Sequence, residues 1–349
     1  MAKEAIREIS FITRNGRRIP KVPAELNWAD TFGRWKARWA IGRMKYAVEP
    51  GIYAVGNPDA DSGVYVSANY KMSFDCLRSS LAGRDGWILV LDTKGINVWC
   101  AAGKGTFGTQ ELARRIEETG LSEFVRHRTL VVPQLGAPGV SAHQLKAQSG
   151  FSVVYGPVRA QDLPAFLDAG MRATEQMRRV HFPIEDRIVL IPVELVSWGK
   201  YVAPVAAVFF FLAGLNPKGY SGALAISAGT QNVLLLLAGF LAAAVFGPVL
   251  LPWLPGRSFS VKGLWIGMAM LVLGGLLLGR RIDVLGDSFS VAAWVLMVPA
   301  LTSFVALNFT GASTYTSLSG VKREVRIAVP IQLACAALGI ALWLVGLFV

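Results

Sequence analysis

The distribution of charge constrains this chain more than any other feature. Only 8 of its 35 Lys and Arg residues, and 3 of its 23 Asp and Glu residues, lie after residue 200. Apolar segments at about 190–215, 231–253, 263–279, 289–309 and 327–349 are each near the ~20 residues needed to cross the hydrocarbon core of a bilayer. The sequence therefore predicts an all-α domain of five transmembrane helices over 186–349, entered through a charged hinge, Glu185-Asp186-Arg187. Glu194 and Lys200 leave only the second half of the first segment suited to hydrocarbon. Gly267, Gly274 and Gly275 would let the third span approach a neighbour closely. No oppositely charged pair falls inside the spans, so an anchoring or docking role is expected rather than ion or proton conduction.

An odd number of spans puts the two termini on opposite faces. The leading residues Met1–Arg7 have no apolar core of signal-peptide length, so the N-terminal domain is expected in the cytoplasm and the C-terminus outside. Arg257, Lys262, Lys322, Arg323 and Arg326 then lie inside, with Lys218, Arg280 and Arg281 outside, in keeping with the positive-inside bias. The formal charge of +12 raises the question of nucleic acid. No nucleic-acid-binding motif is present, and basic residues beside a bilayer serve anionic lipid equally well.

Residues 1–50 read as a basic extended lead followed by one helix. Phe32, Trp35, Trp39 and Tyr46 share a helical face, with Arg34, Lys36, Arg38, Arg43 and Lys45 around it. Two readings stand here: a helix lying in lipid headgroups, or aromatic residues docked on the protein's own domain.

From 51 to 185 the pattern alternates between strand and helix. Strands are expected at Val64–Ala68, Trp87–Asp92, Thr129–Val132 and Ser152–Tyr155, and helices near 70–81, 109–119, 141–148 and 161–169. Short apolar strands separated by helices imply a parallel sheet covered on both faces, an α/β flavodoxin-like (Rossmann-like) domain. Loops at Ser67–Asn69, Thr93–Cys100 and Pro133–Ser141 would then converge on one edge, where open α/β sheets bind ligands.

The stretch Asn97-Val98-Trp99-Cys100-Ala101-Ala102-Gly103-Lys104 lies at that edge. Asn97 is a good N-cap, and the small residues after Cys100 would let a flat ligand approach the thiol. A cysteine in the first turn of a helix is favoured as thiolate by the N-terminal dipole. The plain alternative is a buried cysteine acting as a small hydrophobe. A nucleotide-binding phosphate loop is excluded by spacing, since Gly105 follows Lys104 where Ser or Thr is needed and Val98 stands five positions before Gly103. Pro133–Val140, rich in Gly and Pro, suits a fixed backbone surface, or is an ordinary surface loop.

Cys76, Cys100 and Cys335 are the only cysteines. They form no C-x-x-C pair and no zinc or iron-sulfur ligand set, so any electrons must come from a partner. Cys76 is expected to pack beside Phe74 and Leu77. His127, His143 and His181 are scattered, with solvated or structural roles expected.

Asn97–Lys104 resembles, residue for residue, the cap-helix motif of HgcA, the family of mercury-methylating corrinoid proteins related to the large subunit of the corrinoid iron-sulfur protein. The likeness extends through Ser67-Ala68-Asn69-Tyr70-Lys71, Leu91–Gly95, Pro133–His143 and Tyr155–Arg159, and a multi-span tail also fits that family. The resemblance implies a corrinoid (cobalamin or methylcobalamin) with Cys100 as the lower ligand of cobalt and the catalytic residue. It places Ser67, Asn69, Thr93 and Asn97–Lys104 at the cofactor, together with Gln134, Leu135, Ala137, Gly139 and Val140. The Asp-x-His-x-x-Gly loop that supplies a histidine in many cobalamin-binding domains is absent, which leaves Cys100 as the candidate. The implied reaction is methyl transfer from methyl-Co(III) to inorganic Hg(II) by a methyltransferase of the bacterial or archaeal cytoplasmic membrane. A folate-linked methyl donor and a ferredoxin-like iron-sulfur electron donor are the implied partners. Two alternatives stand beside it: a membrane-tethered corrinoid methyl carrier of one-carbon metabolism, and a cofactor-free, membrane-anchored partner-binding module.

Overall fold

Alternation at period two builds the sheet of the first unit. Val64, Val66 and Ala68 enter one apolar cluster and Tyr65 another; Trp87, Leu89 and Leu91 alternate in the same way with Ile88 and Val90. A strand whose side chains feed two cores is covered on both faces. The computed structural model describes residues 10–278, 287–309 and 318–349, and these fall into two compact units that divide between Val180 and His181.

The first unit begins with β1 (Ser10–Arg14) and β2 (Arg17–Val22), an antiparallel hairpin. Its turn is Asn15-Gly16, both with positive φ, as a two-residue hairpin of matching twist requires. Then come α1 (Trp28–Arg38), β3 (Gly51–Val55), β4 (Val64–Ala68), α2 (Lys71–Ser80) and β5 (Gly86–Leu91). Next are α3 (Val98–Lys104), α4 (Thr109–Thr119), α5 (Leu121–Phe124) and β6 (Thr129–Val132), and then α6 (Ala142–Ser149), β7 (Ser152–Tyr155), α7 (Leu163–Asp168) and α8 (Glu175–Arg178). The seven strands are ordered β1-β2-β3-β5-β4-β6-β7.

The sheet is mixed, which corrects the expected parallel one. β5-β4-β6-β7 is parallel throughout, but β3 runs antiparallel to β5 and the β1–β2 hairpin extends the same edge. The basic lead is thus part of the sheet; Asn15-Gly16 was the signal for it. Ala101, Leu112 and Leu145 place α3, α4 and α6 on one face, while Phe74 and Phe166 place α2 and α7 on the other.

α1 is fixed by charge. Asn27 and Asp30 form a reciprocal capping box, and the Asp30 carboxylate accepts from Lys71 Nζ (2.7 Å) and from an Arg78 guanidinium N–H (2.6 Å). Asp75 accepts from the same two cations at 2.7 and 2.8 Å. All four side chains are buried. Burial pushes the Asp30 carboxyl up, but the hydrogen bonds from Lys71 and Arg78 outweigh it and hold the group below the usual carboxylate range.

The second unit contains α9 (Ile184–Ile188), α10 (Ile191–Leu212), a minimal hairpin of β8 (Leu215–Asn216) with β9 (Gly219–Tyr220), and α11 (Gly222–Leu250). α12 (Phe259–Leu278), α13 (Ser288–Asn308) and α14 (Leu318–Gly346) follow. Among the described residues, five helical segments, starting at Ile184, Gly222, Phe259, Ser288 and Ser319, are long and apolar enough to cross a membrane. Glycine brings them together. A Cβ on Gly263 would lie 2.4 Å from the Thr302 carbonyl oxygen, and one on Gly267 would lie 2.4 Å from Thr302 Oγ1, so α12 meets α13 backbone to backbone. Gly274 and Gly275 face open space instead. Arg280, Arg281 and Met1–Arg7 lie outside the described residues.

Candidate functional site

Strand order turns at β4: the chain steps from β4 to β5 on one side, then crosses to β6 on the other. Ligands of open α/β sheets bind in the crevice that such a switch leaves at the carboxyl ends of the strands. Three loops meet there, after β4, β5 and β6.

The loop after β5 is shaped from beneath. Asn69 Oδ1 accepts from the backbone N–H of Thr93 (3.2 Å) and of Gly95 (2.9 Å). Thr93 Oγ1 stands 2.8 Å from that same oxygen and 2.7 Å from the Ile96 carbonyl, so its one proton can serve either. Ser67, Asn69 and Thr93 are buried; the polar atoms of Asn69 and Thr93 hold the turn, Ser67 Oγ donates to the Ala68 carbonyl at 3.1 Å, and all three lie beneath the edge rather than on its open surface. Glu111 on α4 fixes the start of the loop by accepting from the Asp92 N–H at 2.8 Å. Burial raises the Glu111 carboxyl, but hydrogen bonds from Arg114 and Arg115 outweigh it and keep the group low. Lys94 and Gly95 take positive φ.

α3 then starts where the sequence indicates. Asn97 Oδ1 accepts from the Cys100 N–H at 2.9 Å, and the helix stops at Gly105, whose φ of 80° is left-handed. Ala101 and Ala102 sink into the apolar core, with Ile96 and Val98 packed against it. Trp99 and Cys100 are half-buried, and Gly103 and Lys104 are exposed. A Cβ at Gly103 would meet nothing within 4 Å. The helix is fixed from below and presents a free thiol beside a residue with no side chain.

The loop after β6 is fastened to α3. A Cβ on Gly139 would lie 2.0 Å from the Phe107 carbonyl oxygen and 3.1 Å from Ala102 Cα, and one on Gly136 would lie 2.4 Å from the Phe107 ring. These glycines are required by a seam between protein segments. Thr109 N–H donates to the Gly139 carbonyl (3.1 Å), and Tyr155 Oη donates to the Val140 carbonyl (2.6 Å). Gln134 Oε1 accepts from Arg178 at 2.8 Å; Leu135 and Ala137 are half-buried and Val140 is buried. Phe107, Thr109 and Glu111 were not singled out from the sequence, although Phe107 follows directly on the Gly103–Gly105 stop and its bulk needs a small-residue partner.

Outside this edge the expectations divide. His127 is structural, with Nε2 3.0 Å from the Ser62 carbonyl oxygen, and His143 is exposed. Cys76 is exposed rather than packed, because Phe74 and Asp75 take the inward face of α2. No group of three or more His, Cys, Asp or Glu able to hold a metal occurs among the described residues.

Residues 40–167 match the family model described as CO dehydrogenase/acetyl-CoA synthase delta subunit. Among curated relatives, the acetyl-CoA decarbonylase/synthase complex subunit gamma of Methanopyrus kandleri is 35% identical over 128 residues. The subunit of the same name from Archaeoglobus fulgidus is 33% identical over 128 residues, and that of Methanothermobacter thermautotrophicus is 31% identical. Each alignment covers 36% of this chain and 27% or 28% of the relative. The chain thus spans about a quarter of the length of these relatives, and the likeness includes all three loops of the edge.

Proposed function

We propose that the first unit is a flavodoxin-like corrinoid-binding domain in which Cys100 is the one cobalt ligand supplied by this chain. We propose further that the protein passes a methyl group to inorganic Hg(II) while its five apolar helices hold it in the cytoplasmic membrane. The observation that carries the reading is the α3 surface: a free, half-buried thiol next to Gly103, where no side chain blocks approach, on a helix anchored through Ala101 and Ala102. The donor set fits a corrinoid. A metal held by a single protein ligand must bring its remaining ligands with it, as a corrinoid would.

When bound, the corrinoid supplies a cobalt centre that accepts and releases methyl groups. Cys100 would hold the cobalt through a soft, electron-rich sulfur, a donor type that raises electron density at the metal in haem enzymes. That density suits an electrophilic acceptor such as Hg(II). Trp99, half-buried beside the thiol, would keep water from it, and the Asn97 cap fixes the helix that carries Cys100. Reducing equivalents come from a ferredoxin-like partner, and the methyl group from a folate-linked donor.

A second reading has a specific observation behind it. The relatives are subunits named for acetyl-CoA decarbonylase/synthase complexes, which favours a methyl carrier of one-carbon metabolism over mercury as acceptor. The two readings share the cofactor and Cys100 and part at the acceptor.

The test is single-turnover loss of the methyl-cobalt absorption after Hg(II) is added anaerobically to methylcobalamin-loaded protein, with methylmercury quantified. Native protein reacting much faster than free methylcobalamin and than Cys100→Ala is the expected result. A native rate equal to that of free cofactor makes the one-carbon carrier the better account. Protein that binds no cobalamin would be a partner-binding module. Cys100→Ala keeps its circular dichroism, because the thiol accepts no load from the core.

A further inference from the structure

The two faces of α1 are opposites. One is docked: Asp30 and Ala37 are buried, and Asp30 is locked to Lys71 and Arg78. On the other, Trp28, Phe32, Trp35 and Trp39 recur at i, i+4, i+7 and i+11, within about 60° of arc on a helix of 3.6 residues per turn. Trp28 is 80% exposed, Phe32 50% and Trp35 51%; past the helix end, Ile41 and Met44 are 52% and 71% exposed. The rings touch along the stripe, Phe32–Trp35 stacked with centroids 6.0 Å apart and Trp35–Trp39 tilted at 5.7 Å. Tyr46 does not belong to it. Its ring packs edge-on to Tyr70 and against Gly33, on the protein's own side.

An exposed aromatic ladder on a firmly held helix is built to meet something apolar. The charge on this segment selects what. Residues 27–46 hold five basic groups, Arg34, Lys36, Arg38, Arg43 and Lys45, and one acid, Asp30, whose charge is spent inside the buried cluster. Lys36 and Arg38 flank the stripe on opposite sides. Tryptophan at the level of the headgroups with cations beside it is the composition of a surface that rests on anionic lipid.

We propose that α1 and the turn after it rest on the anionic headgroup layer of the membrane, with Trp28, Phe32, Trp35, Ile41 and Met44 dipping into the interface. The inference rests on the membrane-anchored part of the functional reading, since a tethered unit needs only a weak surface contact to be held against the bilayer.

The experiment uses the full chain in nanodiscs containing phosphatidylglycerol, with native cysteines replaced (Cys76→Ser, Cys100→Ala, Cys335→Ala) and a nitroxide at Thr31→Cys, beside the stripe. A second label at Glu117→Cys, exposed on α4, is the aqueous reference. The expected result is an oxygen-to-nickel accessibility ratio at 31 severalfold above that at 117, returning to the reference value with Phe32→Ser and Trp35→Ser. Phosphatidylcholine discs should lower it, and an unchanged ratio there overturns the choice of an anionic surface. A label at 31 that reads as aqueous in protein co-eluting with the discs overturns the proposal while leaving the anchor intact. One shielded from both probes overturns it in favour of a protein partner or a second copy. Failure of the chain to enter discs removes the anchor and the proposal together.

Discussion

The two units bury polar groups in different ways. The first encloses four full charges, Asp30, Lys71, Asp75 and Arg78, each with at least two partners. The second buries one cation near its start, Arg187, which donates to the Pro248 and Val249 carbonyls at 3.0 and 2.6 Å. Between its long helices it buries neutral pairs, with Trp294 Nε1 donating to Asn232 Oδ1 at 3.2 Å and Gln332 Nε2 to Ser303 Oγ at 2.7 Å. It draws its helices together through glycine. A unit surrounded by water can carry a buried ionic cluster when it is complete, and its specificity then lies in the completeness. In apolar surroundings the same specificity has to come from backbone shape, because isolated charge there is too costly.

The sharpest way to break this contrast is Asp30→Ala. It leaves Lys71 and Arg78 buried with one carboxylate between them, and should cost about 3–5 kcal/mol in the first unit, read as a lowered first transition in thermal unfolding of the full chain. The same cluster sets a pH limit. Since the Asp30 carboxyl is held low in the folded state, its contribution is complete above the ordinary carboxylate pKa of about 4 and is lost as pH falls through the lowered value. Acid should therefore melt the first unit before the second, and Asp30→Ala should flatten that dependence.

Glycine tests the other side. Gly267→Leu has no room against Thr302 and Pro299, whereas Gly274→Leu faces open space. The first should cost about 1–3 kcal/mol or more by overpacking, and the second almost nothing, by thermal midpoint in detergent. Within the candidate site the pair is Gly139 and Gly103. Gly139→Ala collides with the Phe107 carbonyl and should loosen the seam by a similar ~1–3 kcal/mol. Gly103→Ala should stabilise α3 by ~0.5–1 kcal/mol yet weaken cobalamin retention, if the cofactor lies where proposed; unchanged retention would move it elsewhere. The smallest effect belongs to Gln332→Leu. Its Oε1 is buried without a hydrogen-bond partner, so losing one interhelical bond worth about 0.6 kcal/mol is largely offset.

What was legible in the sequence was what repeats locally. β4, β6 and β7 begin and end where alternation put them, and α4 spans the expected 109–119. Asn97 caps α3 because a cap is decided within four residues. The missed parts depend on long separations. β3 pairs antiparallel with β5 across more than thirty residues, and no local pattern carries strand direction. Asp30 finds Lys71 across 41 positions. In the candidate site, the types of Ser67, Asn69 and Thr93 marked the edge, but only the fold shows that the polar atoms of Asn69 and Thr93 are turned inward on the loop and that the Ser67 hydroxyl is spent on the Ala68 carbonyl. The Gly and Pro of 133–140 likewise announced a fixed surface without disclosing that Phe107 is what two of those glycines accommodate.

The ionic cluster also bears on where a working piece of this protein can be cut. The match to the family model sets in at residue 40, and a fragment chosen by similarity would start there. Such a fragment would discard Asp30, the hairpin beside β3, and the carbonyls of Pro23 and Glu25 that accept from Arg78. Lys71 and Arg78 would be left to share one carboxylate, that of Asp75. The region shared with relatives and the region that folds are different stretches of chain, and it is the second that any dissection of this protein has to respect.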